Sequence, residues 1–77
     1  MKYKFEQFDL VIVNPTVDVL SATFNLKNGE CSASVKLIES DGTEFGIELK
    51  DNSQPESWTA ESLTEWVNNQ LKKHETL

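Results

Sequence analysis

The stretch KNGECSASVKLIESDGTEFG, residues 27–46, contains two glycine turn signals separated by the length of one strand. The first, Asn28-Gly29, is typical of a two-residue hairpin loop, because both central residues of a type I′ turn need a positive φ. With this loop, Lys27 lies opposite Glu30, and one face of the hairpin is entirely apolar. The pairs on that face are Leu26/Cys31, Phe24/Ala33, Ala22/Val35 and Leu20/Leu37. A slip of one residue would mix the apolar and polar faces, so the pattern specifies the register.

The second signal, Asp41-Gly42, predicts a three-residue loop. A two-residue loop would place Phe45 opposite Ile38 and turn the apolar residues of the following strand to the wrong face. A loop over 40–42 instead matches a type I turn that ends in a left-handed glycine with a bulge. It predicts the core-face pairs Leu37/Phe45, Val35/Ile47 and Ala33/Leu49.

Alternating apolar and polar residues predict four strands, over about 2–13, 17–27, 30–39 and 43–50. A connection at Asn14-Pro15-Thr16 joins the first two, since proline cannot donate a hydrogen bond within a sheet. This connection pairs Leu10 with Leu20 and Phe8 with Ala22. The alternation breaks around Glu6-Gln7, which indicates a bulge or an end to pairing. We therefore expect a four-stranded antiparallel meander in the order 1-2-3-4.

A linker over 51–58 leads into a helix predicted over about 60–73. Thr59 is a suitable N-cap, and Trp58 and Leu63 have the spacing of a hydrophobic staple. One apolar stripe follows the helix, formed by Leu63, Trp66, Val67 and Leu71. The expected fold is α+β, a single domain over 1–77 with the C-terminal helix packed on one face of the sheet.

Composition limits the functions that are compatible with this chain. Thirteen acidic and seven basic residues give a net charge of −6, and every basic residue is lysine. Direct binding to nucleic acid or to an anionic membrane requires the opposite charge. The small core leaves little room for a deep substrate pocket. We expect no cofactor, no small-molecule substrate, no signal peptide and no membrane anchor, and a cytoplasmic or virion-associated location.

Catalytic and metal-binding patterns are not found in the sequence. Cys31 is the only cysteine, which excludes an internal disulfide, and the register places it in the core opposite Leu26, where a thiol is unreactive. His74 is the only histidine, next to two lysines at the predicted end of the helix. The spacing of zinc or calcium ligands is absent. The sequence therefore predicts a protein that is not an enzyme.

One predicted surface does not fit a solvated sheet face. The register places five branched aliphatic residues on the face that the helix leaves uncovered: Val11, Val13, Val17, Val19 and Ile38. A contiguous exposed patch of this kind is typical of a protein contact, so we expect a protein partner or self-association that docks through this patch or through an edge strand. The alternatives are that Tyr3, Phe5 or the linker covers the patch, or that single exposed aliphatics are tolerated.

Acidic residues are concentrated in the second half of the chain: Glu39, Asp41, Glu44, Glu48, Asp51, Glu56, Glu61 and Glu65. Such a surface increases solubility. It could also imitate a phosphate backbone, which leaves a second hypothesis of an acidic inhibitor that binds a nucleic-acid-binding protein, as an anti-defence factor would.

The segment 14–49 followed by SWTAESLTEWVNNQL, residues 57–71, resembles short proteins of tailed-phage and prophage genomes. These have a β-meander body that ends in a tryptophan-containing amphipathic helix. The resemblance is one of layout over most of the chain, and no residue role is carried over from it. It implies a virion component or an accessory protein that binds host machinery, and both are protein-binding roles.

Overall fold

The computed structural model describes residues 1–6 and 9–76, and in this part of the chain it contains six strands and one α-helix. The strands are β1 (Lys2–Phe5), β2 (Leu10–Val13), β3 (Thr16–Asn25), β4 (Glu30–Ile38), β5 (Glu44–Asp51) and β6 (Glu75–Thr76). Helix α1 (Ala60–Leu71) continues into a 3₁₀ turn at Lys72–His74. The strands form two antiparallel sheets, ordered β2-β1-β6 and β3-β4-β5. The α+β class and the C-terminal helix are confirmed, whereas the single four-stranded meander is wrong.

The segment predicted as the first strand is a hairpin. Lys2 lies opposite Val13 and Phe5 lies opposite Leu10, so the chain reverses direction between β1 and β2. The predicted pairing of Leu10 with Leu20 is therefore wrong, and the predicted pairing of Phe8 lies outside the described residues. The predicted bulge or end of pairing around Glu6-Gln7 includes a residue outside the described part of the chain, and β1 ends just before it, at Phe5. β6 adds to the other side of β1, which the sequence did not indicate.

The β3–β4 loop has four residues, not two. Asn25 pairs with Glu30, so Leu26 to Gly29 form the loop. Gly29 has a φ of 71°, whereas Asn28 does not have the positive φ that a type I′ turn needs. Asn25 closes the loop from both of its oxygens, accepting from the Lys27 amide at Oδ1 and from the Gly29 amide at its carbonyl, both at 2.9 Å. These two bonds close the loop, and Leu26 stays 88% exposed.

β3 contains a β-bulge at Leu20. Before it, Val19 lies opposite Val35, and after it Ser21 lies opposite Ser34, so β3 has one residue more than β4 at this point. Because side chains alternate along a strand, the additional residue reverses the orientation of everything on one side of it. Val17 and Val19 therefore face the same side as Ala22 and Phe24, and all four pack against the core.

The β4–β5 hairpin has the register predicted for a three-residue loop. The pairs are Leu37/Phe45, Val35/Ile47 and Ala33/Leu49. Glu39 and Thr43 close the loop, since the Glu39 amide donates to the Thr43 carbonyl and the Gly42 amide donates to the Glu39 carbonyl, both at 2.9 Å. Gly42 has a φ of 90°, in the left-handed region that favours glycine.

One face of the β3-β4-β5 sheet is covered by α1 and the smaller sheet. The buried apolar residues form one cluster: Tyr3, Phe5, Ile12, Cys31, Ala33, Val35, Leu37, Ile47, Leu49, Trp66, Val67 and Leu71. The predicted helix stripe is buried at Trp66, Val67 and Leu71, and half-buried at Leu63. Thr59 caps the helix as predicted, because its Oγ1 accepts from the Ser62 amide at 3.3 Å.

A hydrogen-bond network connects α1 to the end of β5. Trp66 donates from Nε1 to Ser53 Oγ at 3.1 Å, and the Ser53 hydroxyl donates to the Asp51 carboxylate. Lys73 donates from Nζ to the other oxygen of Asp51, also at 3.1 Å. Both ends of the network lie on the helical segment, so it links α1 and the turn after it to the end of β5.

The Trp66 side chain should account for a large part of the stability of this small domain. We expect Trp66→Ala to lower the free energy of unfolding by about 3–5 kcal/mol, because a large side chain is lost from the core. Trp66→Phe keeps much of the apolar contact and loses the bond to Ser53, so it should cost less. Urea unfolding monitored by circular dichroism measures both changes. Equal losses of stability in the two variants would show that the apolar contact of the side chain is not the larger contribution.

Gly42 should resist substitution for conformational reasons. Gly42→Ala places a side chain at a φ of 90°, although no atom lies within 4 Å of the added Cβ. We expect a loss of about 1–2 kcal/mol in the free energy of unfolding. Gly46→Ala is the matched control, because its Cβ also meets no atom and its φ is not in that region. Losses of the same size in both variants would show that the turn conformation is not the cause.

The Asp51 network predicts a dependence of stability on pH. The Ser53 hydroxyl and then the Lys73 ammonium hold the pKa of Asp51 below its ordinary value. A lower pKa in the folded state stabilises the protein above the unfolded-state pKa of about 3.9, and this contribution is lost as pH falls through the folded-state pKa. Asp51→Asn should therefore be less stable than wild type at pH 7, with a difference that shrinks below about pH 4. Urea unfolding between pH 7 and 2 tests this, and a difference independent of pH would contradict it.

Candidate protein-binding surface

Val11 and Val13 lie on the outer side of β2. Each is 42% exposed, while Ile12 between them is fully buried. On β1, Lys4 lies opposite Val11 and Lys2 lies opposite Val13, and both lysines are exposed. We call these four residues the β2 surface. It combines an aliphatic strip with two positive charges, at the edge of the smaller sheet.

The structure separates Val17 and Val19 from this surface. They lie opposite Leu37 and Val35 and pack half-buried against the core, because the bulge at Leu20 turns them inward. The predicted patch of five residues is therefore divided between two faces. The prediction failed here because the expected register had no bulge.

Ile38 is half-buried on the other face of β4, between Thr16 and Glu44. The ends of β2 and β4 lie close together, since the Val13 amide donates to Glu39 Oε2 at 3.4 Å. Of the five predicted residues, Val11 and Val13 thus form one exposed strip. Ile38 precedes Glu39, whose side chain contacts the Val13 end of that strip.

Besides Met1 at the start of the chain, three exposed large apolar residues in the described part were not predicted. Leu20 at the bulge is 57% exposed, Leu26 in the β3–β4 loop is 88% exposed, and Trp58 is 50% exposed. The Trp58 ring lies 6.4 Å from the Phe24 ring, centroid to centroid, which places it next to β3. The sequence signal for Leu26 was the preceding Asn25, whose side chain favours a turn. An isolated leucine gives no comparable signal for a bulge.

The acidic surface is partly neutralised by lysines. Three ion pairs, each with an N···O distance of 3.1 Å, are Lys36–Glu44, Lys50–Glu48 and Lys73–Asp51. They involve three of the eight carboxylates concentrated in the second half of the chain. All of these groups are at least partly exposed, so the pairs contribute little to stability. Their effect is to interrupt the run of negative charge.

An open groove of about 820 Å³ runs between the start of the chain and α1. Its lining residues are Met1, Tyr3, Ala60, Glu61, Thr64, Glu65, Asn68, Asn69 and Lys72. Glu61 and Glu65 stand one helical turn apart on one wall. The lining contains neither the cysteine nor the histidine of this chain.

Cys31 and His74 occupy unrelated environments. Cys31 is fully buried opposite Phe24, not Leu26, and burial raises its pKa, with a further contribution from the Asp51 carboxylate. His74 is exposed, with its ring 4.7 Å from that of Phe5. Within residues 1–6 and 9–76, no group of three or more histidine, cysteine, aspartate or glutamate side chains could hold a metal ion.

Comparison with known protein families, with curated proteins and with solved structures finds no match for this chain. In the described part of the chain, no helix has the length and apolar character needed to cross a membrane.

Proposed function

We infer that this chain is a non-enzymatic protein-interaction module that docks through the β2 surface. The observation that supports this most is the exposure of Val11 and Val13 on an edge strand that contains no charged residue. Edge strands present unpaired backbone groups, and most proteins protect such edges with charges or cover them. A partner strand could add to β2 at Val11 while its side chains meet the two valines, and it would displace the Glu39 carboxylate from the Val13 amide to pair there as well.

The chemistry of the partner follows from the two lysines. Lys2 and Lys4 stand beside the valines, so the partner should offer an apolar strip bordered by carboxylates. This chain is acidic overall, with a net charge of −6, whereas the β2 surface itself carries two lysines, with the Glu39 carboxylate at its Val13 end. A partner with carboxylates would be attracted to the two lysines and repelled by the acidic remainder of the chain, which fixes its orientation.

The layout resemblance to short proteins of tailed phages supports a particular setting for this role. There the partner would be another virion or assembly protein. The alternative, an acidic inhibitor that imitates nucleic acid, is less well supported because the three lysine pairs interrupt the acidic surface.

The proteins encoded by the genes next to its own are the partners to test. We expect one of them to form a complex with the wild-type chain that persists at about 1 M salt, where the Debye length is about 3 Å. The double variant Val11→Lys/Val13→Lys should weaken it about tenfold or more, which corresponds to about 1.4 kcal/mol. Leu26→Lys is the control for one added charge on another exposed apolar residue, and it is compared with the single variant Val11→Lys. Light scattering after gel filtration, with titration calorimetry, measures both.

Three results would contradict the proposal. One is that none of the neighbouring proteins binds, and another is that the double variant binds as well as Leu26→Lys. The third is a complex that dissociates as salt rises and whose partner also binds DNA, which would favour the acidic inhibitor.

A further inference from the structure

β3 is an edge strand of unusual composition. It is ten residues long and lies at one side of the β3-β4-β5 sheet, with Asp18 as its one charged residue and no lysine or proline. β5, at the opposite side, has four charged residues among eight: Glu44, Glu48, Lys50 and Asp51. Charged side chains are the usual protection of an edge against pairing. By this criterion the β5 edge is protected and the β3 edge is not.

The bulge at Leu20 limits which strand can pair with β3. A bulge bends and twists an edge, so a regular strand would lose its register on crossing this point. A second copy of β3, running antiparallel, has its own bulge at the same point. The bulge therefore disfavours pairing with a regular strand but is compatible with pairing between two copies of β3.

One register brings matching faces of two copies together. Because the bulge reverses the alternation, Val17 and Val19 face the core before it, and Ala22 and Phe24 face the core after it. Antiparallel pairing about the centre of the strand then matches core-facing residues with core-facing residues. The core-side pairs are Val17 with Phe24 and Val19 with Ala22 of the second copy. The pairs on the other face are Thr16 with Asn25 and Asp18 with Thr23.

We propose that β3 pairs with β3 of a second copy in this register, forming a continuous six-stranded sheet across a two-fold dimer. The single charge of the strand supports the choice of partner. Asp18 meets Thr23 of the second copy and not another carboxylate, so no like charges oppose each other in this register. Trp58, half-exposed beside Phe24, then lies at the junction and covers the new contact between Phe24 and Val17.

This pairing is independent of the β2 surface, and the failure of one proposal leaves the other standing. The two copies each carry a net charge of −6, so added salt should strengthen their association. Strengthening by salt also distinguishes the β3 dimer from a complex of a basic partner with the acidic surface, because salt would weaken such a complex.

The pair Asp18–Thr23 gives a test of the register. Thr23→Lys places a positive charge opposite Asp18 of the second copy and should tighten the dimer, whereas Thr23→Asp should weaken it. Both variants lose the same 2.9 Å bond to the Ser32 hydroxyl, so that loss cancels in the comparison. The dimer contains this pair twice, and we expect each variant to change the dimerisation constant by about twofold to thirtyfold.

Sedimentation equilibrium from micromolar to about millimolar chain concentration measures these constants. The controls are Asn69→Lys and Asn69→Asp, which change the net charge equally at an exposed position on α1. Opposite shifts from the two Thr23 variants, larger than those of the Asn69 variants, support the proposal. Monomers throughout for both wild type and Thr23→Lys would overturn it. A dimerisation constant that changes equally with the Thr23 and the Asn69 variants would overturn it as well. So would a dimer that is lost in Val11→Lys/Val13→Lys.

Discussion

The additional residue in β3 is the constraint on which the arrangement of this domain depends. Side chains of a strand alternate between faces, so ten residues without a bulge would turn Val17 and Val19 away from the core if Ala22 and Phe24 faced it. The bulge at Leu20 removes this conflict, and all four residues pack against the core. β3 can then share one buried face with β4 over its whole length. The consequence at the surface is that Leu20 itself remains more than half exposed.

The two sheets and the helix share one small apolar core, and one polar network links the helix to the larger sheet. Trp66 is buried in the core, yet its indole N–H reaches Ser53, and Ser53 reaches Asp51 at the end of β5. Lys73 completes this network from the turn after α1. A buried tryptophan needs a partner for its N–H, and the linker supplies it. The linker therefore hydrogen-bonds to the helix as well as connecting it to β5.

The sequence predicted those parts of the fold that local chemistry determines. The β4–β5 turn depends on Gly42, and the helix depends on Thr59 and on an apolar stripe, so both could be inferred. The β3–β4 loop was mistaken because Asn28-Gly29 suggests a two-residue turn, whereas Asn25 closes a longer one with its side chain. The division of residues 2–13 into two strands, the pairing of β6 and the bulge depend on contacts between distant segments, which alternation does not show. The candidate surface changed for the same reason: Val11 and Val13 are exposed in the structure, whereas Val17 and Val19 moved inward with the bulge.

The most direct measurement of the central claim is the pairing of β3 with β4 in solution. Cross-strand nuclear Overhauser effects in the isotopically labelled protein report which residues lie opposite each other. Our account predicts that Phe24 faces Cys31 and that Val17 faces Leu37, with the register changing by one residue at Leu20. Effects that connect Phe24 with Ala33 and Leu20 with Leu37, in one unbroken register, would contradict it. In that case Val17 and Val19 would lie on the outer face.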